Sequence, residues 1–346
     1  LDKFLEIDGA GPGLQGYEAG GQILRIALAL SPILKRSFKM SNIRSGRPKP
    51  GLQPQHLTGV KAVAEITGAE VAGTSVGSQE IVFNPKAIKG GEYTFDTGTA
   101  GSITLLAQSI LPLLLFAREE SHIILRGGTH VQWSPTIDYY VNVFLPIVRR
   151  FGAEAEVKVN KYGWYPKGGG EIEISIRPSQ LTATELIERG KQLSIEGVCA
   201  LSNLREDIME RETKGVHELL PEANMQHIPS PAASPGTAVT IFARYENTVL
   251  GAEALGKIGK SAEEVGREAA QRLKDELSNK AALDSHMTDQ VLVFMALANG
   301  KSTITVPTFT PHAKTCAWLI PMFTNIPFDI SDNTISVAGI RKGLNK

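Results

Sequence analysis

The chain has 346 residues, more than one hydrophobic core usually serves, so two domains are expected. Hydrophobic residues make up 42% and charged residues 21%, the balance of a soluble globular protein. Lys plus Arg equals Asp plus Glu at 36 each, so bulk charge excludes a generally basic nucleic-acid binder and leaves room only for a local basic cluster. Cys199 and Cys316 are too few for a disulfide framework or a zinc site and read as small buried hydrophobes. No apolar run reaches the ~18–20 residues of a membrane helix. The longest, from Ile103 to Ala117, is interrupted by Gln108, Ser109 and Pro112, and no membrane partner is expected. The opening LDKFLEIDGAG lacks the basic and apolar regions of a signal peptide.

In chain order, GAGPG near the start reads as a loop, and EAGGQILRIALALSPIL from Glu18 reads as an apolar helix with small residues at its start. From Phe38 a short alternating strand leads into the loop IRSGRPKPGLQPQH, then an amphipathic helix ending in GAE before a new strand. The pattern returns roughly 80 residues later. TAGSITLLAQSILPLLL from Thr99 gives the apolar helix, HIILRGGTH from His122 the strand and loop, and a helix again ends in GAE. KYGWYPKGGGEIEISIRP from Lys161 adds a turn and a strand. Gly168 to Gly170 precede that strand and not a helix, which makes them a tight turn and not a phosphate loop. Tyr162, Trp164 and Tyr165 can stack on bases, although core or turn packing is the commoner use of such residues.

From residue 181 to 280 the character changes to a more charged α+β pattern. A helix (LREDIMERETKGVHELL) is followed by the loop PSPAASPG, a strand (TAVTIFARY) and a long helix (SAEEVGREAAQRLKDELSN). A third copy of the first pattern then follows, with TDQVLVFMALA from Thr288 as the helix and STITVPTFTPHAKTCAWLI from Ser302 as strand, loop and helix. The chain therefore divides into a repeat-built domain, 1–180 and 281–346, and an inserted domain, 181–280.

Helices that follow strands in such units gather their N-termini, whose unpaired amides attract anions. Arg44, Arg47 and Lys49 lie in a Gly/Pro loop immediately before a helix, and an arginine fork suits phosphate oxygens. His312 holds the matching position of the third copy. A histidine there can be a helix cap, a satisfied surface residue or a nucleophile. The remaining histidines show no metal-ligand spacing.

Taken in order, EAGGQILR, IRSGRPKPGLQPQHL, DTGTAGS, LRGGTH, YPKGGGE, DQVLVFMALANG and TPHAKT resemble the RNA 3′-terminal phosphate cyclase family, over about Glu6 to Ser336. The resemblance is strong in the repeats and weak in the insert, and DQVLVFMALANG looks closer to the eukaryotic branch. It implies an α+β fold of three βαβαββ-type units with an inserted small α/β domain of thioredoxin-like topology. It implies ATP as cofactor and a divalent cation, Mg²⁺, and it makes His312 a nucleophile that becomes adenylated. It puts Gln108, Pro135, His286, Asp289 and Gln290 around ATP, and Arg25, Arg44, Arg47, Gln55 and His56 around the RNA 3′-phosphate end, with Glu18 at the metal. The expected partner is an RNA end, in the nucleus (nucleoplasm) by likeness to the eukaryotic branch, with the cytoplasm as the alternative. Oligomeric state is left open.

Three departures from the family pattern stand out. Ala19 replaces a glycine in EAGGQ, AGPGLQGY before Glu18 is long, and His286 stands where an aromatic Tyr is usual. Two rival readings follow. One is a catalytically inactive cyclase-like protein acting in pre-ribosomal RNA processing, against which the retained His312 argues. The other is an enolpyruvyl transferase, which uses similar repeats in greater number.

Overall fold

The computed structural model describes residues 4–340. Strand β1 (Leu5–Asp8), helix α1 (Gly21–Ile33), β2 (Phe38–Ser41), α2 (Pro54–Thr67), β3 (Glu70–Ala72) and β4 (Ile81–Asn84) form a first sheet in the order β1-β2-β4-β3. A second run has β5 (Gly91–Asp96), α3 (Ile103–Leu114), β6 (Ser121–Gly127), β7 (Glu154–Lys161) and β8 (Gly170–Arg177), in the order β5-β6-β8-β7. Its second helix begins at Ile137–Tyr139 (α4), widens into a π-helical turn at Tyr140–Phe144 and ends at Leu145–Arg150 (α5). In both sheets the first strand pairs parallel with the second, and the other neighbours are antiparallel.

The third sheet starts with a two-residue strand, β9 (Glu185–Leu186), after which the chain leaves the main body. The excursion is β10 (Gln192–Ser202), α6 (Asp207–His217), β11 (Asn224–Pro229), β12 (Gly236–Tyr245), β13 (Val249–Leu255) and α7 (Ala262–Leu277). The chain returns as α8 (Met287–Leu297), β14 (Ser302–Thr305), α9 (Pro311–Thr324), β15 (Asp329–Ser331) and β16 (Thr334–Val337). Here too β9 runs parallel to β14, and β16 lies antiparallel between β14 and β15. The excursion has its own sheet, β11-β10-β12-β13, and its own apolar cluster, from Ile195 to Leu273. Residues 181–190, counted with the insert on sequence grounds, run with the main body. Leu181 and Leu186 join the main core, and β9 pairs with β14. A two-residue strand is too short to carry a period, so nothing in the sequence marked it.

Helix α1 sits among α2, α3 and α9 and is apolar nearly all round, as a helix enclosed by others must be. Eleven of its thirteen residues are buried, and Gly21 and Arg25 are the two that are not. Both project where the helix starts converge. Each start is fixed locally. Ser102 accepts from the Leu105 amide at 3.2 Å, Thr310 from the Ala313 amide at 3.1 Å with Pro311 next, and Gln53 opens a capping box with His56.

Candidate active site

His312 is the second residue of α9 and half exposed. Its Nδ1 lies 2.9 Å from Gln22 Oε1. The Gln22 amide nitrogen donates to Asp289 Oδ2 at 2.8 Å and faces Cys316 Sγ at 3.0 Å. With the amide NH₂ turned to the carboxylate, Gln22 presents its carbonyl to the ring, so Nδ1 carries a proton and Nε2 is the nitrogen turned to the cleft. The chain Asp289–Gln22–His312 thus draws on α8, α1 and α9, and orients an imidazole as a carboxylate orients a catalytic histidine. Burial pushes the Asp289 carboxyl up, against the opposing pull of His312 and Arg25.

Across Nε2 stands Glu18, with Oε2 at 3.3 Å and Oε1 bound to Arg47 Nη2 at 2.6 Å. The Glu18 backbone is pinned too, because its amide donates to Thr315 Oγ1 at 3.0 Å. Both side chains of the Glu18–Arg47 pair are about two-fifths exposed, so the pair is worth little on its own and can exchange partners. Gly20 and Gly21 let Arg47 and His56 close on the start of α1. A methyl at Gly20 would meet Arg47 Nη2 at 3.2 Å, and one at Gly21 would collide with His56 Nε2. These close approaches fall on the two retained glycines and not on Ala19. The long segment before Glu18 passes α9 beside the catalytic candidate, with Gly16 against Lys314.

Arg25 is the one charge on α1, and it lines two clefts. One is walled by Gln22, Gln108, Phe144, Asp289, Gln290 and Phe294. The other is walled by Gln55, His56, Gly59, Leu106 and Ser109. Burial lowers its guanidinium to about 10, with the Asp289 charge pulling the other way, so it is a desolvated cation at neutral pH that an anion would relieve. In the first cleft, Gln108 donates to Gln290 at 2.9 Å, and Gln290 donates to the His286 carbonyl at 2.8 Å. In the second, Gln55 Oε1 accepts from the Ser102 amide at 2.8 Å.

His56 Nδ1 accepts from the Gln53 amide at 3.3 Å, which leaves Nε2 as a donor. Burial, then Arg44 and Arg25, push its pKa down to about 3. His56 is therefore a neutral hydrogen-bond donor at Nε2, whereas His312 donates to Gln22 from Nδ1, so the two rings are held through the same nitrogen in opposite senses.

Not every predicted site residue joins these clefts. Arg44 has φ 54° and braces its own loop, with Nη1 donating to the Lys49 carbonyl at 2.6 Å and the Gly51 carbonyl at 2.9 Å. Burial and then Arg47 lower its pKa. Pro135 lies off both cleft walls, its carbonyl accepting from Thr104 Oγ1 at 2.8 Å. His286 is the exposed residue before α8, and its ring makes no hydrogen bond, ion pair or aromatic stack among the described residues, although it lies near enough to Glu253 and Asp284 to act on their charges.

Sequence reasoning missed Gln22. Its signal was a lone amide on an otherwise apolar stripe. It also missed Asp284, a fully buried carboxylate that accepts from the His286 and Met287 amides, the Tyr139 hydroxyl and the Gly251 amide at 2.8–3.0 Å. Asp284 thereby fixes the start of α8 against the insert. Among the described residues no group of three or more His, Cys, Asp or Glu could cage a metal, and no helix is long and apolar enough to cross a membrane.

A family model described as RNA 3′-terminal phosphate cyclase matches residues 17–330. A protein of that name from Ignicoccus hospitalis is 41% identical over 331 residues, covering 92% of each chain. Others from Pyrobaculum aerophilum and Archaeoglobus fulgidus are 40% identical, covering 93% and 96% of this chain and 96% and 100% of their own. A solved EPSP synthase from Acinetobacter baumannii aligns at TM-score 0.38 and 12% identity, covering 98% of this chain and 48% of its own, too remote a likeness to bear on fold or function. A match over most of the length, with relatives near 40% identity, establishes that the chain belongs to the RNA 3′-terminal phosphate cyclase family.

Proposed function

We propose that the chain uses ATP to convert an RNA 3′-terminal phosphate into a 2′,3′-cyclic phosphate, with His312 as the nucleophile. Nε2 of His312 attacks the α-phosphorus. An N–P bond forms as the bond to pyrophosphate breaks, and the ring is left carrying AMP. The RNA 3′-phosphate then attacks that phosphorus and takes the AMP, returning the lone pair to His312. The adjacent 2′-hydroxyl attacks the 3′-phosphorus, loses its proton and expels AMP. This last step is intramolecular, so proximity supplies much of its acceleration. The observation that carries the reading is the oriented His312 ring, with Nδ1 held by Gln22 at 2.9 Å beside the Arg47 guanidinium.

In this reading Gln108, Asp289 and Gln290 bind the nucleotide, with Pro135 and His286 at its rim. Arg25, Arg44, Arg47, Gln55 and His56 take the phosphates, as neutral or cationic donors aimed at developing charge. Glu18 fits a divalent cation only together with substrate phosphates. A single carboxylate plus phosphate oxygens and water is a common way to hold Mg²⁺, and the ion would neutralise phosphoryl charge. The requirement for a 2′-hydroxyl selects RNA over DNA.

Incubation with ATP labelled at the α-phosphate tests the proposal. The native chain acquires acid-labile label and His312→Ala acquires none, with unchanged thermal unfolding. Label persisting on His312→Ala would refute the assignment. No labelling of the native chain would favour the non-catalytic RNA-processing alternative. Nuclear residence is likewise a proposal. The archaeal relatives lend it no support, and fractionation of cells making a tagged chain tests it.

A further inference from the structure

Two large aromatic side chains beside the site are left in water. Trp133 is 94% exposed and Tyr165 78%. Single exposed hydrophobics are ordinary, but these two stand on adjoining loops. Thr129 and His130 donate to the Gly163 carbonyl at 2.8 and 3.2 Å, and His130 pairs parallel with Trp164. Trp133 and Tyr165 thus lie in the turns that follow the two paired residues, three positions past His130 and one past Trp164. Beneath them the floor is rigid. His130 stacks on Trp164 at 4.4 Å, Trp164 Nε1 donates to Ser202 at 2.7 Å, and His130 Nε2 lies 2.8 Å from Asp138.

Trp133 also sits at φ 60°, a conformation bulky residues rarely adopt. It accepts that strain without gaining burial. The loops adjoin the anion cleft directly. Gly168, three residues past Tyr165, packs on the backbone of Thr99 and Ala100, and the same turn ends at Ser102, whose amide is held by Gln55. Lys167 is exposed between them.

We propose that Trp133 and Tyr165 form a stacking platform for the nucleotides that precede the 3′-terminal phosphate, with Lys167 meeting their backbone. This rests on the RNA-end reading of the site. Stacking on rings is tolerant of sequence, as an enzyme acting on ends requires, and the neighbouring cation complements the phosphates.

The test compares a 3′-phosphorylated decanucleotide with a 3′-phosphorylated dinucleotide. Trp133→Gly and Tyr165→Ala should each raise the KM for the decanucleotide about tenfold, leaving kcat, self-adenylation and the dinucleotide KM within about twofold. Trp133→Phe should recover most of the loss. Trp133→Gly, which relieves the strained φ, should melt no lower than the native chain. Unchanged decanucleotide KM in both variants overturns the platform. So does equal loss with both substrates, or a native dimer that Trp133→Gly converts to monomer, which would make the patch a self-association surface. A native chain that neither self-adenylates nor cyclises would instead reject the underlying function.

Discussion

Gln22→Leu removes the amide between Asp289 and His312 at nearly constant volume, so the loss is polar and not a cavity. It has two parts. First, the imidazole loses the acceptor that holds its proton on Nδ1. The competing tautomer puts that proton on Nε2, 3.3 Å from the Glu18 carboxylate, which stabilises it and blocks the lone pair. A hydrogen bond of about 1–2 kcal/mol corresponds to roughly five- to thirtyfold in the competent tautomer. Second, the ring loses alignment, a further factor of about ten. Self-adenylation should fall on the order of 10²-fold. Stability should fall by about 1–3 kcal/mol, because Asp289 Oδ2 is left without its donor. Single-turnover labelling with α-labelled ATP measures the rate. Gln22→Glu serves as a second arm, since it puts a carboxyl against Asp289 and should lose activity more steeply as pH rises. A Gln22→Leu rate within threefold of native, in a folded protein, refutes the idea that Gln22 sets the tautomer.

His56 is neutral in the fold down to about pH 3, whereas the unfolded chain protonates near 6.5. Its contribution is complete above 6.5 and is lost as pH falls toward 3, amounting to about 2 kcal/mol by pH 5. Chemical denaturation of native and His56→Gln chains at pH 7 and pH 5 should show a smaller pH drop in the variant. Glu212 behaves in the opposite sense. Burial raises its pKa from 4.5 to about 7, eased by the Thr237 hydroxyl, so its ionisation destabilises the fold as pH climbs from 4.5 to 7. Glu212→Gln should therefore stabilise the inserted cluster by about 3 kcal/mol at pH 8 and by little at pH 4, as measured by denaturant titration of the full chain. Gly21→Ala should displace the His56 ring, lowering turnover on RNA ends at least tenfold while self-adenylation falls less. Equal falls in both would mean that the start of α1 as a whole had moved.

Helices α1 and α3 were legible with their starts because they are apolar runs opened by small or capping residues, and those signals are local; α8 was legible as an apolar run, but its start is held by Asp284, which no local signal marked. The inserted segment was legible from its charge, but its left edge was not, since β9 is two residues long and owes its existence to pairing with β14. Among site residues, His312 and Arg47 both contact Glu18, although they come from segments far apart in the chain. The Gln22 relay was hidden because it joins residues 267 and 290 positions apart, and no spacing rule reaches that far. Arg44 shows the converse limit. Its loop was legible as basic, yet one of its nitrogens braces the loop itself, a use that composition cannot distinguish from ligand binding.

The two histidines of the site are held in opposite senses by their neighbours. His56 receives a backbone amide on Nδ1 and so offers a donor at Nε2, while His312 gives its Nδ1 proton to Gln22 and, in the proposed reading, attacks with Nε2. Gln53 at the start of α2 orients one ring and Gln22 at the start of α1 the other, and neither ring can do the other's work without breaking a hydrogen bond. Arg25, half-buried on an otherwise apolar helix, faces the His56 cleft and the Gln108–Gln290 cleft together. In the proposed reading, phosphates in the two clefts would share its guanidinium, one fork nitrogen to each side. On the proposed function, such a site would favour two anions bound close together, the arrangement that transfer of a nucleotidyl group from one phosphate to another requires. Arg25→Lys keeps the charge but gives up the planar fork that can face both clefts. It should weaken nucleotide and RNA-end binding together. A loss confined to one of them would mean that the two clefts do not share the cation.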